Sequence, residues 1–504
     1  MAFDKGGDLS VSPIHFPRVS AEEAASMIKH GQTVAFSGFT AAGAAKVVPR
    51  AIAGRAREIH DKGDPYKLNV LTGASTGQLD EVLAGADAVA WRAPYQSSKA
   101  MREKINKQEI KFTDMHLSHL PQTVLFGFLG DVDWAVIEAS EITSDGRIYL
   151  SSSVGASPTF LHCAENVIIE LNHYHSVRLS EMADIKIMPP PPHRSPIPIY
   201  EPLNKIGFPY AVVDPKKIVA VVENDEPDGI SPFDSPDEIS RRIAHQVVDF
   251  LLNELRAGRI PKEFLPLQAG VGNIANAVMS CLGDDPDIPS FMMYTEVFQD
   301  ALVALMEQGQ LQGASTTSLT VSDENLRLIY DNMDFFTPRI VLRPQELSNN
   351  PGVIRRLGVI ALNTALEFDL NGHANSTHVC GTDLVNGIGG SGDFTRNAYL
   401  SIFMAPSVIK GGKISTVVPM VTHPDHNEHS VQILVTEQGL ADLRGLGPRE
   451  RTKRIIEKCA HPDYRDYLQR YVAESPSGHI SQNLRHAFDL HVSLMEKGSM
   501  KFWE

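Results

Sequence analysis

Short, continuously apolar segments recur along the chain, and most end at a small or polar residue before a segment with helical character. Residues 33–38 form the first, and the alanine-rich residues 44–53 follow it. Such runs are typical of strands buried on both faces, and their alternation with helices is typical of a parallel sheet. Further strand candidates are residues 67–73, 135–139, 166–171, 265–270, 291–294, 340–342 and 359–362. The rhythm predicts an α/β protein with mainly parallel, open sheets.

The strand and helix rhythm is interrupted near the middle of the chain. Residues 223–230, ENDEPDGI, are acidic and rich in turn-forming residues, and residues 235–238 then indicate the start of a helix that runs to about Arg256. At 504 residues the chain is long enough for more than one domain. We predict an N-terminal domain of residues 1–225 and a C-terminal domain of residues 226–504. The sequence leaves open whether the two halves are related.

The charge of the chain argues against a nucleic-acid partner. Its 46 Lys and Arg residues and 61 Asp and Glu residues give a net charge of -15, and a field of this sign repels a phosphate backbone. No apolar run approaches the length of about 18 residues that a membrane-spanning helix needs. We therefore expect neither nucleic acid nor membrane among the partners.

The cysteines and the first residues bear on the compartment in which the protein works. The four cysteines form no CxxC pair of the kind that zinc and redox sites use, so a reducing compartment is the simplest expectation. Residues 1–10, MAFDKGGDLS, include Asp4 and Asp8 and have no apolar core followed by a cleavage site, unlike a secretory signal. The sequence predicts a cytoplasmic protein without a metal centre.

A carboxylate follows one of the predicted strands. Glu296 comes after the apolar residues 291–295, and residues 297–306 have helical periodicity, which predicts a strand-to-helix junction at Glu296. Ligands of open α/β sheets bind beyond the carboxyl ends of the strands, where a carboxylate can act as nucleophile or base. The alternative is an acidic residue that stabilises a helix N-terminus, and Glu138 and Glu170 occupy similar strand ends. The pattern alone does not choose between these interpretations.

Two glycine-rich segments could bring a ligand close to the backbone. Residues 386–393, NGIGGSGD, contain a GxGxxG match at Gly387, Gly389 and Gly392, but they lack the strand and helix context of a dinucleotide-binding loop. Their amides could stabilise an oxyanion, or the segment could be a surface loop. Residues 268–273, QAGVGN, form a strand-glycine-helix turn that could hold an anion or only make a tight bend.

The histidines show no metal-binding pattern. His423, His426 and His429 are spaced by three residues with a proline between the first two, which matches no closed zinc geometry, and we interpret them as part of a polar loop. His173 and His175 alternate as at a strand end, and we interpret them as ordinary surface or interface residues.

Eight motifs occur in order along nearly the whole chain. They are SGFT (37–40), LTGAST (71–76), GVGN (270–273), YTEVFQD (294–300), LSNNPGVIRRLG (347–358), NGIGGSGDF (386–394), GGKISTVVP (411–419) and TEQGLADLRG (436–445). Together they resemble the class I CoA-transferases of the acetyl-CoA hydrolase/transferase family. WRAPYQ (91–96), VIIELNHYH (167–175) and PKKIVAVVE (215–223) are most similar to the propionyl-CoA:succinate CoA-transferase branch. The resemblance implies two CoA-transferase-like open-sheet α/β domains with an active-site cleft between them.

The resemblance also implies a reaction. Glu296, in YTEVFQD, matches the glutamate that attacks an acyl-CoA, forms an acyl-glutamyl anhydride and then carries CoA as a thioester. A carboxylate, with succinate favoured, accepts the CoA in the second half of a ping-pong cycle. Asn349 and the amide of Gly390 are implied as hydrogen-bond donors to the thioester oxygen. Glu437, in TEQG, is implied as a neighbour of the site.

Coenzyme A is implied as co-substrate and covalent intermediate, and no tightly bound cofactor is expected. The residues implied to contact it are Val271, Gly272, Asn273, Ile274, Ala275, Leu366, Asn386, Gly390 and Lys410. Lys410 would meet the nucleotide or a phosphate. The implied partners are propionyl-CoA or acetyl-CoA, a carboxylate, and a second copy of the chain in a homodimer.

Three other functions stay open on the sequence. Hydrolysis of acetyl-CoA would follow if water reached the glutamyl thioester. A non-catalytic CoA-binding protein would not need Glu296. An NAD-dependent enzyme would use the glycines of residues 387–392.

Overall fold

The computed structural model of the protein describes residues 15–231 and 235–503, so the interpretation of residues 1–10 lies outside the described residues. Nine strands of the first half form one sheet. They are β1 (Thr33–Thr40), β2 (Leu68–Ser75), β3 (Val89–Ala93), β4 (Lys111–Phe112), β5 (Trp134–Ile142), β6 (Arg147–Leu150), β7 (Asn166–Asn172), β8 (Ala211–Val212) and β9 (Ile218–Asn224). Seven strands run parallel in the order β4-β3-β2-β1-β5-β7-β9. In addition, β6 pairs antiparallel with β5, and β8 pairs antiparallel with β6.

The second half repeats this arrangement in an eight-stranded sheet. Its strands are β10 (Leu267–Ala269), β11 (Phe291–Tyr294), β13 (Leu311–Thr316), β15 (Ile340–Leu342), β16 (Ile360–Thr364), β21 (Leu400–Met404), β25 (Ile433–Thr436) and β26 (Gly439–Asp442). The parallel strands lie in the order β15-β13-β11-β10-β16-β21-β25, with β26 antiparallel at the edge. Counted along the chain, the parallel strands of both sheets therefore share one spatial order, which is evidence of related halves.

Short strands outside the large sheets shape the loops of the second half. They are β12 (Val297–Phe298), β14 (Ser318–Leu319), β17 (Glu367–Asp369), β18 (Ala374–Asn375), β19 (His378–Val379), β20 (Asp383–Leu384), β22 (Val408–Ile409), β23 (Ile414–Ser415) and β24 (Val417–Val418). β12 pairs with β14, and β22 pairs with β23 as a hairpin.

Most of the helices lie between strands, while the first helix precedes the first strand and the last three follow the last strand. In the first half they are α1 (Ala21–Met27), α2 (Val47–His60), α3 (Gln78–Gly85), α4 (Lys99–Asn106), α5 (Leu120–Leu125) and α6 (Ser157–Cys163), with 3₁₀ turns at Val177–Glu181 and Pro215–Lys217. In the second half they are α7 (Glu238–Arg256), α8 (Asn273–Asp284), α9 (Asp300–Glu307), α10 (Asp323–Asp331), α11 (Met333–Phe336), α12 (Gln345–Ser348), α13 (Pro351–Leu357), α14 (Ser391–Thr395), α15 (Pro448–Lys458), α16 (Pro462–Ala473) and α17 (Asp489–Lys497). Across residues 15–231 and 235–503, no helix has the length and apolar character needed to cross a membrane.

Apolar side chains from both halves pack into one continuous core. Ile137 of β5, Phe160 of α6, Leu267 of β10 and Ile360 of β16 are fully buried members of the same cluster. Successive strand residues face opposite sides of a sheet, and a second cluster around Phe36 covers the other face of the first sheet. Each such side chain stabilises the fold by about 1.5 to 3 kcal/mol. The shared core holds the two sheets against each other.

The α/β prediction is confirmed, and the strand predictions are right to within a few residues. Residues 291–294 and 340–342 are strands with those bounds. The helix predicted around residues 44–53 begins later, at Val47, because residues 41–46 form a loop. The helix predicted to run to about Arg256 is α7, and the side chain of Asp237 caps its first turn by accepting a hydrogen bond from the Ser240 amide.

Candidate active site

A cavity of about 270 Å³ lies between the carboxyl ends of the two sheets. Residues at the ends of β1 and β2 line it from the first half, and residues that follow β10, β11 and β16 line it from the second. The strand order of the second sheet reverses at the neighbouring strands β10 and β16. Such a switch point leaves a crevice at the carboxyl edge of a parallel sheet, so the cavity lies where this topology favours a ligand.

Glu296 lies in the cavity wall between β11 and β12. Its main-chain oxygen accepts hydrogen bonds from the Thr317 amide at 3.0 Å and from the Thr316 hydroxyl at 2.7 Å. The next helix begins only at Asp300. The predicted strand-to-helix junction is therefore wrong in detail, because the pairing of β12 with β14 inserts a short strand. The alternative interpretation of Glu296 as an N-terminal helix acid is wrong for the same reason.

The carboxyl group of Glu296 is largely withdrawn from water. The residue is 9% exposed. Burial raises the pKa of Glu296 to about 7, although a hydrogen bond from Asn349 opposes the rise, and the nearby charge of Asp393 adds to it. An ordinary glutamate has a pKa of about 4.3. Near neutral pH, Glu296 is thus divided between a neutral form and a poorly solvated carboxylate.

Asn349 lies beside Glu296 and is fully buried. Its Nδ2 donates a hydrogen bond to Glu296 Oε1, and its Oδ1 accepts one from the Ser348 hydroxyl at 2.8 Å. Gln345, on the preceding helix α12, donates to the main-chain oxygen of Leu117 in the first half at 2.8 Å. The segment that carries Asn349 is therefore fastened across the two halves.

Gly390 completes the immediate surroundings of Glu296. A Cβ atom at this position would overlap the Glu296 carboxylate and the Asn349 amide, so only glycine allows this approach. Residues 386–391 line the cavity, and the surface-loop interpretation is wrong. The loop lies between the two-residue strand β20 and the five-residue helix α14, so the dinucleotide-binding context is absent, as predicted.

Some of the residues implied to contact CoA lie at the cavity. Those that line it are Val271, Leu366, Asn386 and Gly390. Gly272 is the N-cap of α8, with φ of 127° and no side-chain cap, and Asn273 and Ile274 are the first residues of this helix. Ala275 is 1% exposed and packs in the core.

Lys410 and Glu437 lie away from the cavity wall. Lys410 is exposed and has φ of 49°, in the turn between β22 and β23. The Glu437 carboxylate accepts a hydrogen bond from the Ser407 amide at 2.7 Å and is also bound by the Ser407 hydroxyl. Glu437 therefore supports the segment that leads into the hairpin of Lys410.

The first half supplies most of an apolar cavity wall, to which Val297 of the second half also belongs, and these residues had no role assigned from the sequence. Phe39, Ala74, Leu117 and Val297 form a small buried cluster, and Tyr95 packs against it. All five line the cavity. The motifs SGFT, LTGAST and WRAPYQ contain three of these residues, so the signal was present, but the motifs alone did not say which chemistry they serve.

His175 corrects one interpretation made from the sequence. The residue is 3% exposed, and its Nε2 lies 3.1 Å from Glu138 and 3.5 Å from Asp228. Burial alone would lower the pKa of His175, but the two carboxylates outweigh burial and raise it to about 9. The interpretation as a surface or interface residue is wrong for His175, whereas His173 is exposed.

The same cluster has the composition of a cation site. Ligand atoms of Glu138, His175 and Asp228 lie within 4.8 Å of one another. The ammonium of Lys46, however, contacts Glu138 and lies 3.1 Å from Asp228. Two positive side chains already balance the two carboxylates, so a metal ion would have to displace Lys46. The cluster is best described as an ion-pair network at the carboxyl edge of the first sheet.

His426 lies in a loop, as we interpret from the sequence, but its side chain is buried behind residues 386–391. It is 4% exposed, and its Nε2 lies 3.1 Å from the hydroxyl of Ser391. Burial lowers the pKa of His426 to about 4, so the ring is neutral. The Ser391 hydroxyl donates to the main-chain oxygen of Ile388 at 2.9 Å, so it accepts its second hydrogen bond from the protonated Nε2 of His426. His423 and His429 are the more exposed members of the group.

Comparison with known proteins supports the resemblance given by the motifs. The family model for the acetyl-CoA hydrolase/transferase N-terminal domain matches residues 11–223, and the model for the C-terminal domain matches residues 326–472. The propanoyl-CoA:succinate CoA transferase of Escherichia coli K12 is 59% identical over 96% of this chain and 98% of its own. The succinyl-CoA:acetate CoA-transferase of Clostridium kluyveri is 45% identical over 96% and 90%.

Other relatives carry a different name. A protein of Eremothecium gossypii named acetyl-CoA hydrolase is 43% identical over 95% of both chains. The solved structure of a 4-hydroxybutyrate CoA-transferase from Porphyromonas gingivalis shares the fold, with a TM-score of 0.62, 22% identity, and coverage of 91% of this chain and 97% of its own. The chain belongs to the acetyl-CoA hydrolase/transferase family.

Proposed function

We propose that the protein is a CoA-transferase that moves CoA between a short acyl-CoA, propionyl-CoA or acetyl-CoA, and a carboxylate, with succinate favoured. The observation that carries the proposal is the buried carboxyl group of Glu296 in the cavity, with the Asn349 amide and the backbone of Gly390 beside it. The names of the relatives from Escherichia coli and Clostridium kluyveri support the same reaction.

Glu296 acts as the nucleophile of a ping-pong cycle. An oxygen of its carboxylate bonds to the thioester carbonyl carbon, the C–S bond breaks, and CoA thiolate leaves an acyl-glutamyl anhydride. The thiolate then bonds to the glutamyl carbonyl carbon and expels the free acid as a carboxylate. The acceptor carboxylate reverses both steps. No proton is transferred in this balance, so the site has to stabilise negative charge and keep water out.

Asn349 and the amide of Gly390 stabilise the oxyanion of each tetrahedral intermediate. The contact of Asn349 Nδ2 with Glu296 supports this role for the amide, and the close approach of Gly390 supports the other donor. Donors that are already oriented in a dry site act strongly on developing charge. Burial of Glu296 serves the same purpose, because a poorly hydrated carboxylate attacks more readily.

The apolar wall of Phe39, Ala74, Leu117, Val297 and Tyr95 receives the acyl group. The volume of the cavity and its apolar side favour a short, uncharged acyl chain. Among the described residues that line the cavity, none is Lys or Arg. This lining supports acetyl and propionyl as the acyl groups of the CoA donor, whereas the preference for succinate as acceptor rests on the relatives and on the resemblance.

CoA lies along the second half of the chain. Val271, Leu366 and Asn386 contact its thioester end, and the uncapped N-terminus of α8 at Gly272 to Ala275 offers main-chain amides to an anionic group. The exposed side chain of Lys410 reaches the nucleotide or a phosphate. No tightly bound cofactor takes part in this scheme.

Hydrolysis of acetyl-CoA is the alternative, favoured by the name of the Eremothecium gossypii relative. The test is the rate of loss of propionyl-CoA and acetyl-CoA with and without succinate, with succinyl-CoA and free CoA measured separately. With a transferase, the addition of succinate should cause succinyl-CoA to form and should lower the amount of free CoA released. An unchanged rate of CoA release with no succinyl-CoA would contradict the proposal and support hydrolysis.

We also propose the domain division at residues 225 and 226, a homodimer and a cytoplasmic location. The first sheet ends at Asn224 and α7 begins at Glu238, which supports a boundary between them. All four cysteines are free, which supports a reducing compartment. Light scattering of the purified protein tests the homodimer directly, and a mass of one chain would contradict it.

Replacing Asn349 with Ala should lower kcat by about 10²-fold to 10³-fold and change KM little, because an oxyanion donor acts mainly in the transition state. Steady-state rates of succinyl-CoA formation measure the effect. The matched control is Asn350→Ser, since Asn350 caps α13 by accepting hydrogen bonds from Gly352 and Val353 and serine can replace a cap. An Asn349→Ala variant as active as Asn350→Ser would contradict the role.

The activity should depend on pH through Glu296. Because the pKa of Glu296 is raised to about 7, the ionised nucleophile is lost as the pH falls through this value rather than near pH 4. We expect kcat/KM to fall about tenfold per pH unit below pH 7 and to level off above it. A profile of kcat/KM between about pH 5 and pH 9 checks this, and a flat profile down to about pH 5 would be incompatible with it.

A further inference from the structure

The orientation of the Asn349 amide depends on more than Glu296. Its Nδ2 carries two hydrogens; one is donated to Glu296 Oε1, and Asp393 Oδ2 lies 3.4 Å from the same nitrogen. On the other end of the amide, Oδ1 accepts from the Ser348 hydroxyl. If the amide were turned over, its oxygen would face both carboxylates. The Ser348 hydroxyl could bond either end of the amide, so it is Asp393, together with Glu296, that selects the orientation in which Asn349 presents a donor to the nucleophile.

Asp393 is itself held by the first half of the chain. The Ser118 amide donates to its Oδ2 at 3.0 Å, and the Ser118 hydroxyl donates to its Oδ1 at 2.6 Å. Ser118 lies between β4 and α5, whereas Asp393 lies on α14, three residues after Gly390. The Phe394 amide donates to the main-chain oxygen of Gly390 at 3.2 Å, so the position of α14 and that of Gly390 are set together.

We propose that Asp393 is a positioning residue. Its carboxylate orients the Asn349 amide toward Glu296 and, through α14, sets the place of Gly390, so that Ser118 couples the first half of the chain to the nucleophile. The inference rests on the proposed role of Glu296. Asp393 is 3% exposed and is absent from the residues that line the cavity, so it acts through Asn349 rather than on the substrate.

The charge of Asp393 should affect the pH dependence of kcat/KM, which a residue with only a structural role would leave unchanged. The groups with charge or titration near Glu296 are Asp393 and Tyr95, and His119 faces Asp393. Burial raises the pKa of Asp393 to about 6, opposed by the hydrogen bonds from Ser118. The ionised Asp393 in turn raises the pKa of Glu296. Removing this charge should let Glu296 ionise at lower pH.

The first variant is Asp393→Asn, which keeps the shape but has one acceptor oxygen instead of two. Its one oxygen can replace Oδ2, but its NH2 group then replaces Oδ1, so the Ser118 hydroxyl has to change from donor to acceptor and the negative charge facing the Asn349 amide is lost. We expect kcat to fall on the order of 10-fold to 100-fold, KM for the acyl-CoA to stay within about threefold, and the acidic limb of kcat/KM to move to lower pH. The matched control is Asn397→Ala, which removes the hydrogen bond to the main-chain oxygen of Asp393 at 2.9 Å and keeps the carboxylate.

The wild-type profile is measured first, because a wild-type protein without CoA transfer would contradict the proposed function rather than the role of Asp393. If the wild type is active, either of two results would overturn the positioning role. The first is an unchanged kcat in Asp393→Asn. The second is a lower kcat with the acidic limb of kcat/KM at the same pH as in Asn397→Ala. If circular dichroism shows that Asp393→Asn does not fold, Ser118→Ala decides. It removes one donor to Asp393 and keeps the charge, and we expect kcat about fivefold lower; wild-type kcat would overturn the inference.

Discussion

Replacing Glu296 with Gln should lower CoA transfer on the order of 10⁴-fold or more, while binding of CoA stays close to wild type. Gln has the size of Glu, but its amide cannot form the anhydride or exchange into a thioester. The CoA contacts proposed along α8 and residues 386–391 do not involve the carboxylate, so affinity should persist. Steady-state assays of succinyl-CoA formation give the loss of rate, and calorimetry with CoA gives the affinity.

Glu346→Gln is the matched control for this prediction. Burial also raises the pKa of Glu346 to about 7, opposed by Arg194, whose Nη2 lies 3.2 Å from its Oε1. Glu346 does not line the cavity. We expect this variant to retain most of its activity, since a buried carboxyl of raised pKa is not sufficient for the reaction. Equal activity of the two variants would remove Glu296 as the nucleophile.

Replacing Gly390 with Ala should lower the rate on the order of 10³-fold. The added methyl group would overlap the Glu296 carboxylate and the Asn349 amide, and the close packing around them leaves little room for relief. The nucleophile and its donor would be pushed apart, and the approach of the thioester to the Gly390 amide would be blocked. The rate of CoA transfer at saturating acyl-CoA measures the effect.

Gly270→Ala adds the same methyl group to another part of the cavity wall. There the new Cβ would meet only the main-chain oxygen of Leu362 at 3.8 Å and Asn363 Oδ1 at 4.0 Å, which are ordinary contacts. We expect a loss of less than about tenfold. If Gly390→Ala were no worse than Gly270→Ala, the geometry proposed around Glu296 would be wrong.

The strands were predictable because their physics is local. Residues 291–294 are apolar throughout, as both faces of a central parallel strand require. The junction at Glu296 was misjudged because β12 is two residues long and exists through its pairing with β14, more than fifteen residues further along the chain. Periodicity in a short window cannot register such a contact.

The residues around Glu296 were predictable to different degrees. Motif resemblance pointed to Asn349 and Gly390, which the structure brings next to Glu296. It gave no role to Ser118 or Asp393, because their contact joins residues 275 positions apart. Their importance depends on which polar groups are left facing each other when the two halves pack, and that is a property of the fold.

His175 shows the same limit in the first half. Its alternation with His173 resembled an exposed strand end, but Asp228 and Glu138 converge on it from distant parts of the chain. The network lies at the carboxyl edge of the first sheet near β5, β7 and β9, whereas the cavity lies where the ends of β1 and β2 meet the carboxyl edge of the second sheet. The two sheets thus share one strand order but differ in what lies at their carboxyl edges, an ion-pair network in the first and the Glu296 site in the second.

The central claim is that the carboxyl group of Glu296 becomes joined to the sulfur of CoA during turnover. The direct measurement is mass spectrometry of the peptide that contains Glu296 after treatment with propionyl-CoA in the absence of an acceptor. The account predicts an adduct of CoA on Glu296 that hydroxylamine releases and that added succinate converts to succinyl-CoA. The account would be contradicted by an unmodified Glu296 peptide, taken from a protein sample that forms succinyl-CoA when succinate is present, or by an adduct on another residue.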